Sequence, residues 1–180
     1  MSKKVLCILG PGFEEIETVA PIDLLRRAGA QVVIAALNEN KLVTGRSGIT
    51  VQADATLAEL DPNTFDMLFI PGGPGVKNLR SDGRAAQLAN VFARNNKPVA
   101  AICAAPTVLA DAGLLAGKRF TAHFSVLDEL PHALLTERVV EDGLIITSRG
   151  AGTALEFGLA LVRRLFGEPA AQEIARAIMM

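Results

Sequence analysis

The chain has 180 residues, half of them hydrophobic, with 18 basic against 19 acidic side chains and a formal charge of −1. That length suits one domain with a substantial core. The near-balanced charge, with no basic run or arm, argues against a nucleic-acid footprint, and the longest apolar runs are too short to span a bilayer.

KVLCIL (4–9) reads as a first strand and leads through Gly10-Pro11-Gly12 into a helix expected over 14–28. QVVIAAL (31–37) is a second strand, and VTGRSGITVQAD (43–54) has the pattern of a hairpin. DMLFI (66–70) is a third strand, followed by a helix near 83–95; PVAAI (98–102) is a fourth, followed by a helix over 104–112. RFTA (119–122) and LIITS (144–148) complete the strand set, the last inside a hairpin (137–147) that turns at Asp142-Gly143. Helices near 152–166 and 169–178 follow. Most of these runs are apolar on both faces, as buried parallel strands are. The βαβ alternation predicts an α/β, doubly wound sandwich with a mostly parallel central sheet. With no long linker, repeat or low-complexity tract, residues 1–180 read as a single domain. The first residues, MSKKVLCIL, lack a signal-peptide layout, and Cys7 and Cys103 fit a reducing compartment, so a soluble cytoplasmic protein is expected. The two cysteines and two histidines are too widely separated for zinc-ligand spacing, so no metal is expected.

Open α/β sheets bind ligands beyond the carboxyl ends of their strands. Those tips carry GPGFEE after the first run, PGGPG (71–75) after the third, Cys103 after the fourth, His123 after the fifth and RGAGT (149–153) after the sixth. Gly10-Pro11-Gly12 is a weak nucleotide signal, because Glu14, Glu15 and Glu17 stand where a pyrophosphate would sit and Glu15 takes the last glycine position of the pattern. Glu14 and Glu15 read as first-turn acids that complement the helix dipole. Glu17 differs: at 100° per residue it falls inside the apolar arc of Ala20, Pro21, Leu24, Leu25 and Ala28, while Glu15, Asp23, Arg26 and Arg27 lie opposite. Burial there should raise its pKa. A structural carboxyl bonded to backbone is the alternative to a functional one. Pro21 removes the N–H that would bond the carbonyl of Glu17, so the helix is expected to start late or to bend.

KPVAAICAAPTVLADAGLL (97–115) runs a buried strand into a helix with Cys103 at the junction and Pro106 at an early helical position. That is the outline of a nucleophile elbow, with a helix start that favours the thiolate and peptide donors in Gly72-Gly73 and after the cysteine. Free cysteine is often simply core; the strand tip, Pro106 and the nearby Glu17 favour the nucleophile. Cys7, mid-strand, reads as core. His123 reads equally as a rim or a surface residue. His132, Asp111, Asp128 and Glu129 read as solvated positions.

With GFEEIETVAPIDLLRRAGA, FIPGG, AAICAAPTVLADAGLL and ITSRGAGTALEFGLALV together, the chain resembles the ThiJ/PfpI superfamily over essentially its whole length. The resemblance is closest to the branch of the Parkinson's-disease-associated protein deglycase and the bacterial YajL-like proteins. It implies a flavodoxin-like sandwich that forms a homodimer. It implies a reactive cysteine at Cys103, a buried protonated glutamate at Glu17 hydrogen-bonded to the thiolate, a nearby histidine at His123, and backbone donors at Gly73 and Ala104. Ala104 replaces the histidine that follows the cysteine in the protease-like branch, which disfavours a peptidase. Ala105 replaces the common glycine of the closer branch. The family's arginine has no clean match and its role is not carried across, because Arg46 is offset by one from Ser47.

The implied chemistry is cofactor-independent glyoxalase or deglycase work on methylglyoxal, glyoxal, or glycated amino acids and proteins. The alternative is an oxidation-sensing stress protein or redox-regulated chaperone that uses the same cysteine. A nucleotide-binding flavodoxin relative is the third reading, opposed by the three acids.

Overall fold

Five of the six apolar runs expected to be strands are strands in the computed structural model, which describes residues 2–180. In chain order the elements are β1 (Lys4–Leu9), α1 (Glu15–Arg27), β2 (Gln31–Ala36), β3 (Leu42–Thr44), β4 (Thr50–Gln52), β5 (Ala55–Thr56), β6 (Met67–Ile70), α2 (Val76–Asp82), α3 (Arg84–Arg94), β7 (Val99–Ile102), α4 (Pro106–Asp111), β8 (Val139–Asp142), β9 (Ile145–Ser148), α5 (Ala154–Phe166) and α6 (Glu168–Ala177). A seven-stranded sheet runs β5-β2-β1-β6-β7-β9-β8, while β3 and β4 form a separate hairpin. Every pairing in the large sheet is parallel except β8 with β9.

Alternation along the strands builds two cores. Val5, Cys7 and Leu9 of β1, with Met67 and Phe69 of β6, face α1, α5 and α6. Leu6, Ile8, Leu68 and Ile70 face the side covered by α2, α3 and α4. A strand buried on both faces has to be apolar throughout, which is why these segments show no polar alternation. The result is the expected single-domain, doubly wound α/β sandwich. Strand order reverses between β1 and β6, so the crevice at their carboxyl ends is the expected ligand position.

RFTA (119–122) is not a strand. The edge of β7 that it would need is occupied by β9, and β9 is closed on its other side by β8. The segment therefore crosses the sheet end with Phe120, Thr121 and Ala122 buried, the N–H of Thr121 donating to the side chain of Thr147. Helix α2 was not anticipated. Its seven residues end at Gly83, whose left-handed φ of 82° separates it from α3. The helix after Cys103 is shorter than expected, beginning at Pro106.

Helix α1 runs from Glu15 through Pro21 to Arg27, so no late start was needed. Its first turn is capped by Glu14, whose carboxylate accepts the N–H of Glu17 at 2.7 Å. Glu15 is not on the solvent side: it is buried, because the turn between β3 and β4 folds over the start of α1. Its Oε1 accepts the N–H of Ser47 at 2.7 Å, and a Cβ on Gly45 would lie 2.5 Å from that oxygen. Burial works to raise this carboxyl, but the N–H donors of Ser47 and its neighbours outweigh it and hold Glu15 below the usual range. Helical periodicity reports the face turned to the sandwich and carries no information about a loop arriving from 32 residues away.

Candidate active site

Two glycine-rich loops meet over the carboxyl ends of β1 and β6. The N–H of Glu14 donates to the carbonyl of Gly72 at 3.0 Å, and the N–H of Gly75 donates to the carbonyl of Gly12 at 2.9 Å. A Cβ on Gly73 would stand 2.6 Å from the nitrogen of Glu14 and 2.7 Å from the carbonyl of Gly12. The glycines thus serve close backbone approach between loops.

Cys103 sits at the turn from β7 into α4 with φ +65°, a left-handed conformation that a non-glycine residue adopts at a cost of about 1–3 kcal/mol. The surroundings hold it there: its N–H donates to the carbonyl of Ser148 at 2.8 Å, and its carbonyl accepts the N–H of His123 at 2.8 Å. The expected elbow is therefore present. The peptide N–H groups of Gly73 and Ala104 face its sulfur and favour the anion.

Glu17 is 1 % exposed and faces the same sulfur. Its carboxyl also meets the N–H groups of Gly72 and Ala151, yet Oε2 closes no hydrogen bond of ordinary geometry among the described residues. Gly72 is the contact point: a Cβ there would lie 2.5 Å from Cβ of Cys103 and would collide with Oε2 of Glu17.

Burial pushes Glu17 up to about 7, against the Cys103 thiol and the two peptide donors. Burial, then the charge of Glu17 and its acceptance of the thiol's hydrogen bond, push Cys103 up to about 12. These are two descriptions of one coupled system. Two anions in contact in a largely buried site are disfavoured, so above about pH 7 the pair carries a single negative charge well into the alkaline range. When Glu17 holds the proton, its charge no longer opposes the thiolate and its O–H points at an acceptor, while Gly73 and Ala104 continue to donate.

His123 lies on the same rim. Its Nδ1 accepts the N–H of Ser125 at 3.2 Å and lies 2.8 Å from Oγ of Ser125. An accepting Nδ1 leaves the proton on Nε2. Burial, and then the nearby Arg46 cation, lower the histidine pKa, so the ring is neutral at pH 7. Neutral His123 is equipped to donate from Nε2.

Cys103, Glu17, His123, Gly73 and Ala104 all line one cavity of about 500 Å³. Arg46 lines it too, although its one-position offset gave no reason to place it there. Its N–H donates to the carbonyl of Phe13 at 2.8 Å, so the turn clasped by Glu15 carries it to the mouth. The two glycines flanking Arg46-Ser47 mark a turn in the sequence, but not the helix it lands on. Arg80 was likewise unanticipated. It bridges Asp111 at 2.7 Å and Glu129 at 2.7 Å across the cavity wall, so those two acids are exposed but not idle. His132 is exposed and Cys7 is fully buried, with its thiol pushed far up by desolvation, as expected of a surface and a core residue. Among the described residues no three His, Cys, Asp or Glu side chains gather as a metal site, and no helix is long and apolar enough to cross a membrane.

The pattern of the DJ-1/PfpI family matches residues 3–164. Protein dj-1beta of Drosophila melanogaster is 38% identical over 187 residues, covering 100% of this chain and 98% of the relative. The Bacillus subtilis protein YraA, whose name proposes a cysteine protease, is 40% identical over 152 residues, covering 83% of this chain and 90% of the relative. A Toxoplasma gondii DJ-1 structure, described as oxidized, superposes with a TM-score of 0.93 at 35% identity, covering 99% of this chain and 98% of that one. A thiol lifted on a strained turn, a buried acid against it and similarity along the whole length agree: the chain belongs to the DJ-1/PfpI family.

Proposed function

We propose that this chain is a cofactor-independent enzyme that acts on methylglyoxal, glyoxal or their early adducts through Cys103. The observation that carries this reading is the meeting of Cys103 with Glu17 beneath the N–H groups of Gly73 and Ala104. The thiolate attacks the aldehyde carbon of methylglyoxal, and Glu17 gives its proton to the alkoxide as the hemithioacetal forms. Gly73 and Ala104 hold the developing negative oxygen. Glu17, now a carboxylate, takes the proton from the aldehyde carbon and passes it to the neighbouring carbonyl oxygen, which Nε2–H of His123 supports as it becomes a hydroxyl. Glu17 then takes the proton of the first hydroxyl and delivers it to the second carbon, leaving a lactyl thioester and an ionised Glu17. Water cleaves that thioester to lactate and returns the thiolate and the proton. A positioned acid/base of this kind contributes about 10²–10⁴ in rate.

Purified protein should consume methylglyoxal and form lactate stoichiometrically, with Cys103→Ala inactive. Full activity in Cys103→Ala would remove the assignment. A peptidase is set aside on the alanine that follows Cys103 and on the engagement of Nδ1 of His123 by Ser125.

A second reading has its own support in the unpartnered Oε2 of Glu17 beside the sulfur. Two equivalents of peroxide would take the thiolate through sulfenate to sulfinate, releasing two waters, and a protonated Glu17 would donate to the new oxygens. A discrete gain of two oxygens at Cys103 under mild peroxide supports this sensor role; scattered or absent oxidation sinks it. For either role we propose a cytoplasmic homodimer.

A further inference from the structure

A second cavity, of about 490 Å³, adjoins the reactive one and shares His123 and Ala151 with it. Its charged lining consists of Arg138 and Arg149, with no acid among the lining residues. The two arginines differ. Arg138 is neutralised by Glu156, at 2.8 Å from Nε, and also donates to the carbonyl of Gly152. Arg149 is half-buried, has no carboxylate partner among the described residues, and is held only through Nη1, which donates to the carbonyl of Leu135 at 2.8 Å. That one bond fixes the side chain and leaves the edge formed by Nε and Nη2 without a protein acceptor. Phe124 and Leu135, both exposed, add apolar surface to a wall that also holds His123 and Thr153.

We propose that this cavity is a carboxylate subsite, in which the open edge of Arg149 receives the carboxylate of a substrate whose carbonyl end lies at Cys103. This rests on the dicarbonyl-adduct reading of the Cys103 cavity and narrows it to adducts of methylglyoxal with amino acids or with peptide C-termini. A planar guanidinium edge matches a planar carboxylate in two parallel hydrogen bonds. One uncompensated cation suits a monoanion, since the charge of Arg138 is already taken. Phe124 and Leu135 offer apolar surface to the amino-acid side chain, and His123 stands between the two cavities, where the carbonyl and carboxylate ends of such a molecule would diverge.

Binding is tested first with unreactive probes, N-acetylleucine and its amide, titrated calorimetrically into the wild-type protein. The carboxylate is expected to bind about 10-fold more tightly than the amide, with the preference lost in Arg149→Gln and partly kept in Arg149→Lys. Equal binding of the two probes to the wild type overturns the subsite, even if Arg149→Gln fails to fold. Turnover is then compared for the methylglyoxal hemithioacetals of N-acetylcysteine and N-acetylcysteinamide. Arg149→Gln should raise KM for the first by about 10-fold and leave the second, and free methylglyoxal, unchanged; equal effects on both again overturn it. If no adduct is turned over but the probes still discriminate, the reaction reading fails and the subsite stands. A dipeptide such as N-acetylglycylleucine separates peptide ends from free amino acids: loss of its binding confines the site to the latter.

Discussion

At the scale of single residues, the behaviour of the site follows from one proton shared by Glu17 and Cys103. The pair releases its first proton near pH 7, and the residue that keeps the negative charge decides whether the thiol is reactive. With the charge on sulfur, the rate of Cys103 alkylation by iodoacetamide should climb through about pH 7 and level off. A climb deferred toward pH 12 would place the charge on the carboxylate instead. Glu17→Gln sharpens this. The amide still offers the sulfur a donor but cannot hold a charge, so neutral-pH reactivity should persist without acceleration. A large acceleration in the variant would mean that an ionised Glu17 had been suppressing the thiol. Stability carries the same information. A carboxyl at 4.5 in the unfolded chain and about 7 in the fold is a stabilising proton-binding site below 4.5. That contribution declines as pH rises from 4.5 and is gone above about 7, by about 1.4 kcal/mol for each pH unit separating the two values. Thermal melts should show wild type losing stability relative to Glu17→Gln across that window. Glu17 was legible in the sequence because a helix imposes one period and an acid inside the apolar arc violates it. Arg46 was not, since its placement depends on where a distant turn lands; Arg149 stood in RGAGT at a strand tip, but the Leu135 carbonyl that holds it was not legible.

At the scale of elements, glycines mark where two segments touch, and two of them touch for different reasons. Gly72 joins the loop after β6 to Glu17 and Cys103, whereas Gly158 lets α5 lie against α1, where a Cβ would stand 2.7 Å from Cδ1 of Leu24 and 3.0 Å from Cα of Pro21. Each alanine substitution adds a methyl group to a filled space, at roughly 1–3 kcal/mol. Gly158→Ala should lower the thermal midpoint while leaving the alkylation rate of Cys103 near wild type. Gly72→Ala should lower that rate at least about 10-fold, because its new methyl group must displace the acid or the thiol. Equal alkylation rates in both variants would show that Gly72 matters to packing alone. Strands were readable wherever burial on two faces forces a continuous apolar run. RFTA satisfied the same composition, but β9 already holds the edge of β7 that it would need, and which edges are taken is a property of the whole sheet. Helix α2 leaves no clear mark in the sequence because seven residues give less than two turns of periodicity.

At the scale of the molecule, the outer face of α1 exposes Ile16 at 56 % and Val19 at 50 %, and Ile49 at 57 % lies just past the turn clasped by Glu15. If these side chains form one contiguous surface it is a candidate interface, and we expect a second copy of the chain to cover it. Sedimentation should report a dimer for the wild type and a monomer for the Ile16→Glu, Val19→Glu double variant; an unchanged dimer would move the interface elsewhere. The interlocked loops have a further consequence for redesign. Because the N–H groups of Glu14 and Gly75 are committed to carbonyls of the opposing loop, erasing the acids at 14, 15 and 17 would not make a phosphate cradle of Gly10-Pro11-Gly12. Converting this scaffold to a flavin carrier would require parting those loops first, which would dismantle the support beneath Gly73 and with it one of the two donors facing the sulfur.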